Sequence, residues 1–90
     1  MLTVSVISPE RNLFEGAVDS LVAPAFDGEV GILPRHAPMM TLLGKGQLRL
    51  GNGGSAGSFY IEGGFLQVLD DSVRVVTESA VESRGGDSAR

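Results

Sequence analysis

Carboxylates and the single imidazole of the chain stand close together in the sequence between positions 27 and 36. Asp27, Glu29 and His36 are residue types that serve as general acids, general bases and metal ligands. No serine nearby lies in a nucleophile motif, and the chain contains no cysteine, which excludes disulfides and thiolate metal sites. One histidine without cysteine also disfavours a zinc site. We therefore expect a protein that is not an enzyme and that holds neither a cofactor nor a metal ion.

Two other short motifs are open to a chemical and to a structural interpretation. Asp70-Asp71 would suit a metal pair, but two aspartates between apolar runs are more typical of a solvated turn. Gly63-Gly64 would suit a phosphate cradle, which requires a helix directly after the glycines. The residues that follow, 65–69, form a strand-like apolar run. A bulge or a close backbone approach is therefore the favoured interpretation of the glycine pair.

The elements that must position these residues are strands. Leu2, Val4 and Val6 alternate with polar residues, and no stretch carries the apolar stripe of an amphipathic helix. The run 13–23 is interpreted as one strand with a bend at Gly16, after which Pro24 and Asp27-Gly28 interrupt the ladder. The other predicted strands lie at 29–33, 39–43, 46–50, 59–62, 65–69 and 73–77, with the clearest hairpin signal at 51–57. The pattern predicts an all-β protein, a small antiparallel β-sandwich or flattened barrel.

The size and charge of the chain limit its functions further. Ninety residues make one domain with one core. The net charge is −4, and the seven basic residues are scattered singly, whereas nucleic-acid binders concentrate theirs in a stripe. A polybasic membrane anchor is disfavoured for the same reason, and the apolar runs are far shorter than the ~20 residues of a membrane span. We expect no nucleic-acid partner and contact with a membrane only through a protein partner.

The most informative segment runs from Gly28 to Leu43 and combines two prolines with the only histidine and two glycines. It resembles the GE-x-G-hydrophobic-x-P-x-HAP run of the epsilon subunit of F-type ATP synthases, called delta in mitochondria. Three other segments resemble that family in the same order along the chain. They are 6–16, with Ser-Pro-Glu followed by Phe-Glu-Gly, 42–50, with Gly-Gln-Leu-Arg-Leu, and 60–68, with Tyr-Ile-Glu-Gly-Gly-Phe.

The resemblance implies a β-sandwich of about ten short strands over residues 1–82, followed by a flexible tail at 83–90. It implies a non-catalytic subunit of the central stalk, or rotor, that binds the gamma subunit and the ring of c subunits. Such a subunit couples ion transport to ATP synthesis or hydrolysis. It lies on the cytoplasmic face of the bacterial inner membrane as a peripheral part of the ATP synthase. The C-terminal pair of inhibitory, nucleotide-contacting helices of many family members is expected to be absent, and with it ATP binding.

By resemblance, the expected contacts with the c ring or gamma are the residues around the histidine. The candidate interface residues are Glu29, Arg35, His36, Pro38 and Met39. Two interpretations of the histidine are compatible: it contacts the partner, or it hydrogen-bonds its own loop and keeps the loop rigid. Alternation along a strand predicts that one of Met39-Met40 points into the core. The glycines expected to be structural are Gly28, Gly31, Gly63 and Gly64.

Two functions of other classes compete with this interpretation. A biotinyl- or lipoyl-carrier domain is also all-β and acidic, and Lys45, the only lysine, stands between two glycines as in a turn. The Met-Lys-Met or Asp-Lys-Ala neighbourhood of such carriers is missing, which disfavours this function. An oligonucleotide-binding barrel is disfavoured by the acidic charge and the few aromatic residues.

Overall fold

The computed structural model describes residues 1–51 and 57–83, and every regular element among them is a strand. Alternating apolar and polar residues, many of them β-branched, explain why these segments form strands. The ten strands are β1 (Leu2–Ile7), β2 (Asn12–Val18), β3 (Ser20–Ala25), β4 (Gly28–Ile32), β5 (Met39–Leu42), β6 (Lys45–Gly51), β7 (Ser58–Glu62), β8 (Phe65–Leu69), β9 (Ser72–Val76) and β10 (Ser79–Ser83).

The strands form two sheets that pack face to face. The first sheet has the strand order β2-β1-β9-β8-β5, and the second has the order β10-β7-β6-β3-β4. The core lies between their inner faces and is made almost entirely of aliphatic side chains, which period-2 alternation directs to one side of each strand. The largest fully buried side chains are Leu2, Leu21, Ile32, Leu48, Ile61, Leu66, Val4, Val6, Val18, Val68, Val73 and Val75. The predicted β-sandwich is confirmed.

One strand pair departs from the antiparallel pattern. β1 and β9 run parallel, with Thr3 opposite Ser72 and Ile7 opposite Val76. All the other strand pairs formed within residues 1–51 and 57–83 are antiparallel. β1 thereby lies between β2 and β9, so a strand from the start of the chain is in the interior of the first sheet.

The predicted single strand over 13–23 is wrong, because the chain changes sheets within it. β2 ends at Val18 in the first sheet, and β3 begins at Ser20 in the second sheet. Gly16 causes no break and lies opposite Val4 in a regular ladder. Pro24 does not interrupt β3 either. Proline has no backbone N–H to donate, but β3 pairs with β6 only as far as Val22. Pro24 therefore costs no ladder hydrogen bond to β6.

Two crossings between the sheets meet at one corner. The chain leaves β7 and enters β8 through Gly63-Gly64, and it leaves β9 and enters β10 past Thr77. Thr77 is 1% exposed, and its hydroxyl lies 2.9 Å from the carbonyl oxygen of Gly63 and 3.0 Å from that of Ser79. Its N–H donates to the carbonyl of Ile7 at 2.9 Å. Thr77 therefore connects both sheets by hydrogen bonds, a role that the sequence did not suggest.

The last described strand was not predicted from the sequence. β10 pairs with β7 through Ser79 opposite Glu62 and Val81 opposite Tyr60. With it the structure reaches the ten strands that the resemblance implied. The turn predicted within 51–57 and the predicted tail at 83–90 fall largely outside the described residues, since only Gly51, Gly57 and the backbone of Ser83 belong to them.

Candidate partner interface

The loop between β4 and β5 contains most of the predicted interface residues and begins with a tight turn. The N–H of His36 donates to the carbonyl of Leu33 at 3.2 Å, which closes a four-residue turn. Pro34 occupies its second position, and Arg35 occupies its third with a φ of 70°. Proline followed by a residue of positive φ is the pattern of a type II turn. The N–H of Arg35 points away from this turn and donates to Asp71 Oδ1 at 2.6 Å.

His36 supports the loop through its ring. Its Nδ1 atom lies 2.7 Å from the carbonyl oxygen of Ala37, so the tautomer with a proton on Nδ1 donates a hydrogen bond to the next residue. The interpretation that the histidine stiffens its own loop therefore has a structural basis. The ring is half-buried rather than enclosed, which leaves the other nitrogen available to a partner.

Arg35, His36 and Pro38 border a common open depression of about 450 Å³. The opposite wall is formed by Asp70-Asp71, the turn between β8 and β9. Both aspartates have positive φ, 52° and 62°, and they connect adjacent antiparallel strands as a two-residue hairpin turn does. Asp70-Asp71 is thus a turn, as its composition indicated.

Met39 is the first residue of β5 and packs against the core, whereas Met40 is 63% exposed. The prediction that one of the two methionines points inward is confirmed. Met39 therefore stabilises the fold beside the loop, and Met40 is the methionine that a partner can reach.

Glu29 lies apart from the depression that the loop borders. It belongs to β4, on the outer face of the second sheet, and its Oε2 is 3.4 Å from Arg49 Nη2. Both side chains are more than half exposed, 60% for Glu29 and 51% for Arg49. An ion pair this exposed contributes at most about 1 kcal/mol to stability. The structure brings Arg35, His36 and Pro38 together but gives Glu29 a different neighbour.

The four predicted structural glycines separate into two kinds. Gly28, Gly63 and Gly64 have positive φ, and at Gly64 a Cβ atom would come within 2.7 Å of the Thr77 Cα. Gly31 has neither a positive φ nor any atom within 4 Å of an added Cβ. Its backbone and surroundings therefore accept a side chain, and the expectation of a structural requirement is not supported at this position.

An apolar row crosses the outer face of the first sheet, and sequence reasoning missed it. Leu42 lies opposite Phe65, Phe65 opposite Val76, and Val76 opposite Ile7, so one side chain from each of four adjacent strands falls into line. Their chain neighbours in β1, β8 and β9 are buried on the inner face, which places these four side chains outside. We call Ile7, Val76, Phe65 and Leu42 the apolar row.

The apolar row continues at the β5 edge of the sheet. Leu42 is 63% exposed, and Phe26, which is 67% exposed, donates its backbone N–H to the carbonyl of Leu42 at 3.0 Å. Met40 follows on the same face, two residues before Leu42. Leu42, Met40 and Phe26 are exposed, whereas the other three side chains of the apolar row are partly exposed. Adjoining apolar side chains at a surface are a feature of protein–protein contacts. The register of four strands brings these side chains into line, so no single segment of the sequence reveals the apolar row.

A second depression of about 380 Å³ lies between the β1–β2 and β9–β10 connections. Its walls include Ser8, Glu10, Arg11 and Glu78.

Among the residues that the structure describes, no three His, Asp or Glu side chains stand close enough to hold a metal ion. In the same part of the chain there is no helix long and apolar enough to cross a membrane.

These observations define the class of the protein as an all-strand β-sandwich domain with a row of apolar side chains on one outer face. Residues 1–83 match the family described as the beta-sandwich domain of the ATP synthase delta/epsilon chain. The chain belongs to this family, and the resemblance drawn from its four sequence segments is confirmed.

Curated relatives agree with the family. An ATP synthase epsilon chain of Leptospira borgpetersenii is 48% identical over 77 residues, with 86% of this chain and 61% of the relative covered. An ATP synthase epsilon chain of Caulobacter vibrioides is 40% identical over 82 residues. That match covers 91% of this chain and 95% of the relative. The chain thus spans about three fifths of the Leptospira protein and nearly all of the Caulobacter protein.

Solved structures share the fold. A chain in the Euglena gracilis mitochondrial ATP synthase structure of OSCP, F1 and the c-ring matches with a TM-score of 0.83 and 25% identity. The match covers 90% of this chain and 52% of the other. A chain in the Tetrahymena thermophila central stalk and c-ring structure matches with a TM-score of 0.74 at 17% identity, over 89% of this chain and 65% of that one.

Proposed function

We propose that this chain is a non-catalytic rotor subunit of an F-type ATP synthase. It binds the gamma subunit and the c ring, and it couples ion translocation to ATP synthesis or hydrolysis by transmitting torque. It lies on the cytoplasmic face of a bacterial membrane and reaches that membrane only through the complex. Family membership and the likeness to a chain of an F1 and c-ring assembly support this proposal.

The observation that carries the proposal is the apolar row. A rotating joint requires an interface that does not slip, and burying apolar area is the main source of such adhesion. The apolar row and Met40 supply aromatic and aliphatic anchors on one face, and the exposed Phe26 is joined to Leu42 by a backbone hydrogen bond. We assign this outer face of the first sheet to the gamma subunit.

The loop with Arg35, His36 and Pro38 is the part of the chain that we assign to the c ring. Two prolines and two hydrogen bonds, from Arg35 to Asp71 and from His36 to Leu33, restrict its conformation. A preorganised loop loses less conformational freedom on docking, which favours binding. Glu29 is assigned to the same contact only on the strength of the resemblance, since its neighbour in the structure is Arg49.

The carrier-domain alternative loses its structural basis. Lys45 does not lie at a hairpin tip: it is the first residue of β6 and lies opposite Glu62 of β7. A lysine in a strand ladder is poorly placed to carry a swinging prosthetic group. No observation on the described residues favours this alternative over the rotor function.

Co-expression with the gamma subunit encoded in the same genome tests the proposal. Size-exclusion chromatography with light scattering is expected to give a stable one-to-one complex. Two separate peaks would contradict the rotor function. Intact mass spectrometry of the same sample tests the carrier alternative, because a biotinyl or lipoyl adduct on Lys45 would appear as added mass.

A further inference from the structure

Arg35 occupies a backbone position that suits glycine or asparagine. The third residue of a type II turn has positive φ, and Arg35 adopts 70° there. A residue with a long side chain pays a conformational penalty in this region, and such strain concentrates at functional positions. The loop therefore keeps an arginine where a smaller residue would fit the backbone better.

Asp71 holds this unfavourable backbone in place. Its carboxylate accepts the Arg35 N–H at 2.6 Å, a short, charge-assisted hydrogen bond. Asp71 is itself fixed at two other points: it belongs to the hairpin turn between β8 and β9, and its carbonyl accepts the N–H of Thr3 at 2.8 Å. The position of Arg35 is thereby tied to the frame of the first sheet.

Among the described residues, no carboxylate forms an ion pair with the guanidinium of Arg35. The side chain is exposed, and within residues 1–51 and 57–83 the only ion pair joins Arg49 to Glu29. The carboxylate of Asp71, in the turn between β8 and β9, accepts a hydrogen bond from the backbone N–H of Arg35. An exposed guanidinium on a fixed backbone can donate to both oxygens of a carboxylate.

We propose that Arg35 is a recognition residue that binds a carboxylate side chain of the c ring, and that Asp71 is the positioning residue that presents it. This inference rests on the proposed rotor function and adds the chemistry of the contact. The turn places Arg35, whose side chain is exposed, beside His36 and Pro38 in the loop that we assign to the c ring. Asp71 acts only through Arg35 and does not itself contact the ring.

The test uses the complex in two stages. Wild-type chain and variants are first added to F1 that lacks this subunit, and co-elution is measured. The resulting complexes are then titrated onto F1-stripped membrane vesicles and, separately, onto protein-free liposomes of the same lipids. The variants are R35N, R35K, D71A and D71N, with R11Q as a charge-loss control in the exposed turn after β1.

We expect R35N to fold with an unchanged or higher Tm, because asparagine tolerates positive φ, and to co-elute with F1. Its affinity for stripped membranes is expected to fall about tenfold, as for the loss of a charged hydrogen bond. R35K is expected to lose part of that affinity, since a single ammonium cannot make the bidentate contact. D71A is expected to weaken membrane binding although Arg35 is still present. D71N keeps an acceptor oxygen and is expected to retain most of the wild-type affinity.

Several results would overturn the inference. Membrane affinity of R35N equal to wild type would remove Arg35 from the contact, and the rotor function would stand. An equal loss in R11Q would assign the effect to net charge. Arg35-dependent binding to protein-free liposomes would assign the anion to lipid headgroups instead of the ring. Wild-type chain that fails to join F1 would overturn this inference and the proposed function together.

Discussion

Gly64 lies against the backbone of Thr77, so closely that a Cβ atom at position 64 would come within 2.7 Å of the Thr77 Cα. Gly64 also has a φ of 103°, which side-chain-bearing residues rarely adopt. The connection between β7 and β8 and the connection between β9 and β10 thus touch at one point. Both connections cross between the two sheets, so this contact sets how the sheets meet at that corner.

Gly64→Val is expected to destabilise the domain by about 3–5 kcal/mol, because the new side chain meets both steric overlap and a strained φ. Thermal unfolding followed by circular dichroism measures the effect. Gly31→Ala is the matched control, since nothing lies within 4 Å of its added Cβ, and it is expected to change stability by less than about 1 kcal/mol. A Tm of Gly64→Val equal to wild type would contradict the steric account.

Thr77→Val keeps the shape of the side chain and removes its hydroxyl. The single hydroxyl proton is then no longer available to the carbonyl oxygen of Gly63, 2.9 Å away, or to that of Ser79, 3.0 Å away. We expect a loss of about 1–3 kcal/mol, measured by urea unfolding, because a partly buried carbonyl oxygen loses its donor. Thr3→Val, at an exposed position of β1, is the control and should change stability by less than about 0.5 kcal/mol. Equal effects of the two substitutions would show that the corner hydrogen bonds are dispensable.

Leu42→Gln tests the face that we assign to the gamma subunit. Leu42 is 63% exposed, so the substitution should leave the Tm nearly unchanged while it weakens the complex with gamma about tenfold. Val81→Gln is the control on the outer face of the second sheet, where Val81 is 64% exposed. Titration of each variant with purified gamma gives the dissociation constants. A larger loss from Val81→Gln would move the gamma contact to the other face.

The double variant Glu29→Ala/His36→Ala tests the predicted contact with the c ring. Folding should be preserved, because the Glu29–Arg49 ion pair is exposed and the His36 hydrogen bond lies within its own loop. Assembly with the membrane sector should weaken, which ion-pumping measurements on reconstituted vesicles would detect. Normal coupling in this variant would remove both residues from the interface. The single variants then separate the loop residue His36 from Glu29, which lies in β4.

Period-2 alternation was sufficient to predict most strands but not the sheet to which each belongs. The segment 65–69 was predicted with the bounds that β8 has, and Phe59 and Ile61 share the buried face of β7 while Tyr60 faces out. The change of sheet at Asp19 was missed. Its signal was a spacing of three between the buried residues Val18 and Leu21, which breaks the alternation.

The candidate interface residues were recognised only where a sequence motif contained them. The loop around Arg35 and His36 stood out by composition, and the structure brings the two residues to one depression. The hydrogen bond from Arg35 to Asp71 joins residues from distant parts of the sequence, so no local sequence pattern predicts it. The apolar row depends on the register of four strands, which becomes visible only after the sheets have been assembled.

The parallel pairing of β1 with β9 also governs when the domain can form during synthesis. β1 pairs early with β2, but its second neighbour in the first sheet is complete only after Ser72–Val76 has left the ribosome. Contacts between such distant segments carry a large loop-closure entropy, which slows folding. The nascent chain therefore keeps β1 without its parallel neighbour until β9 has been made.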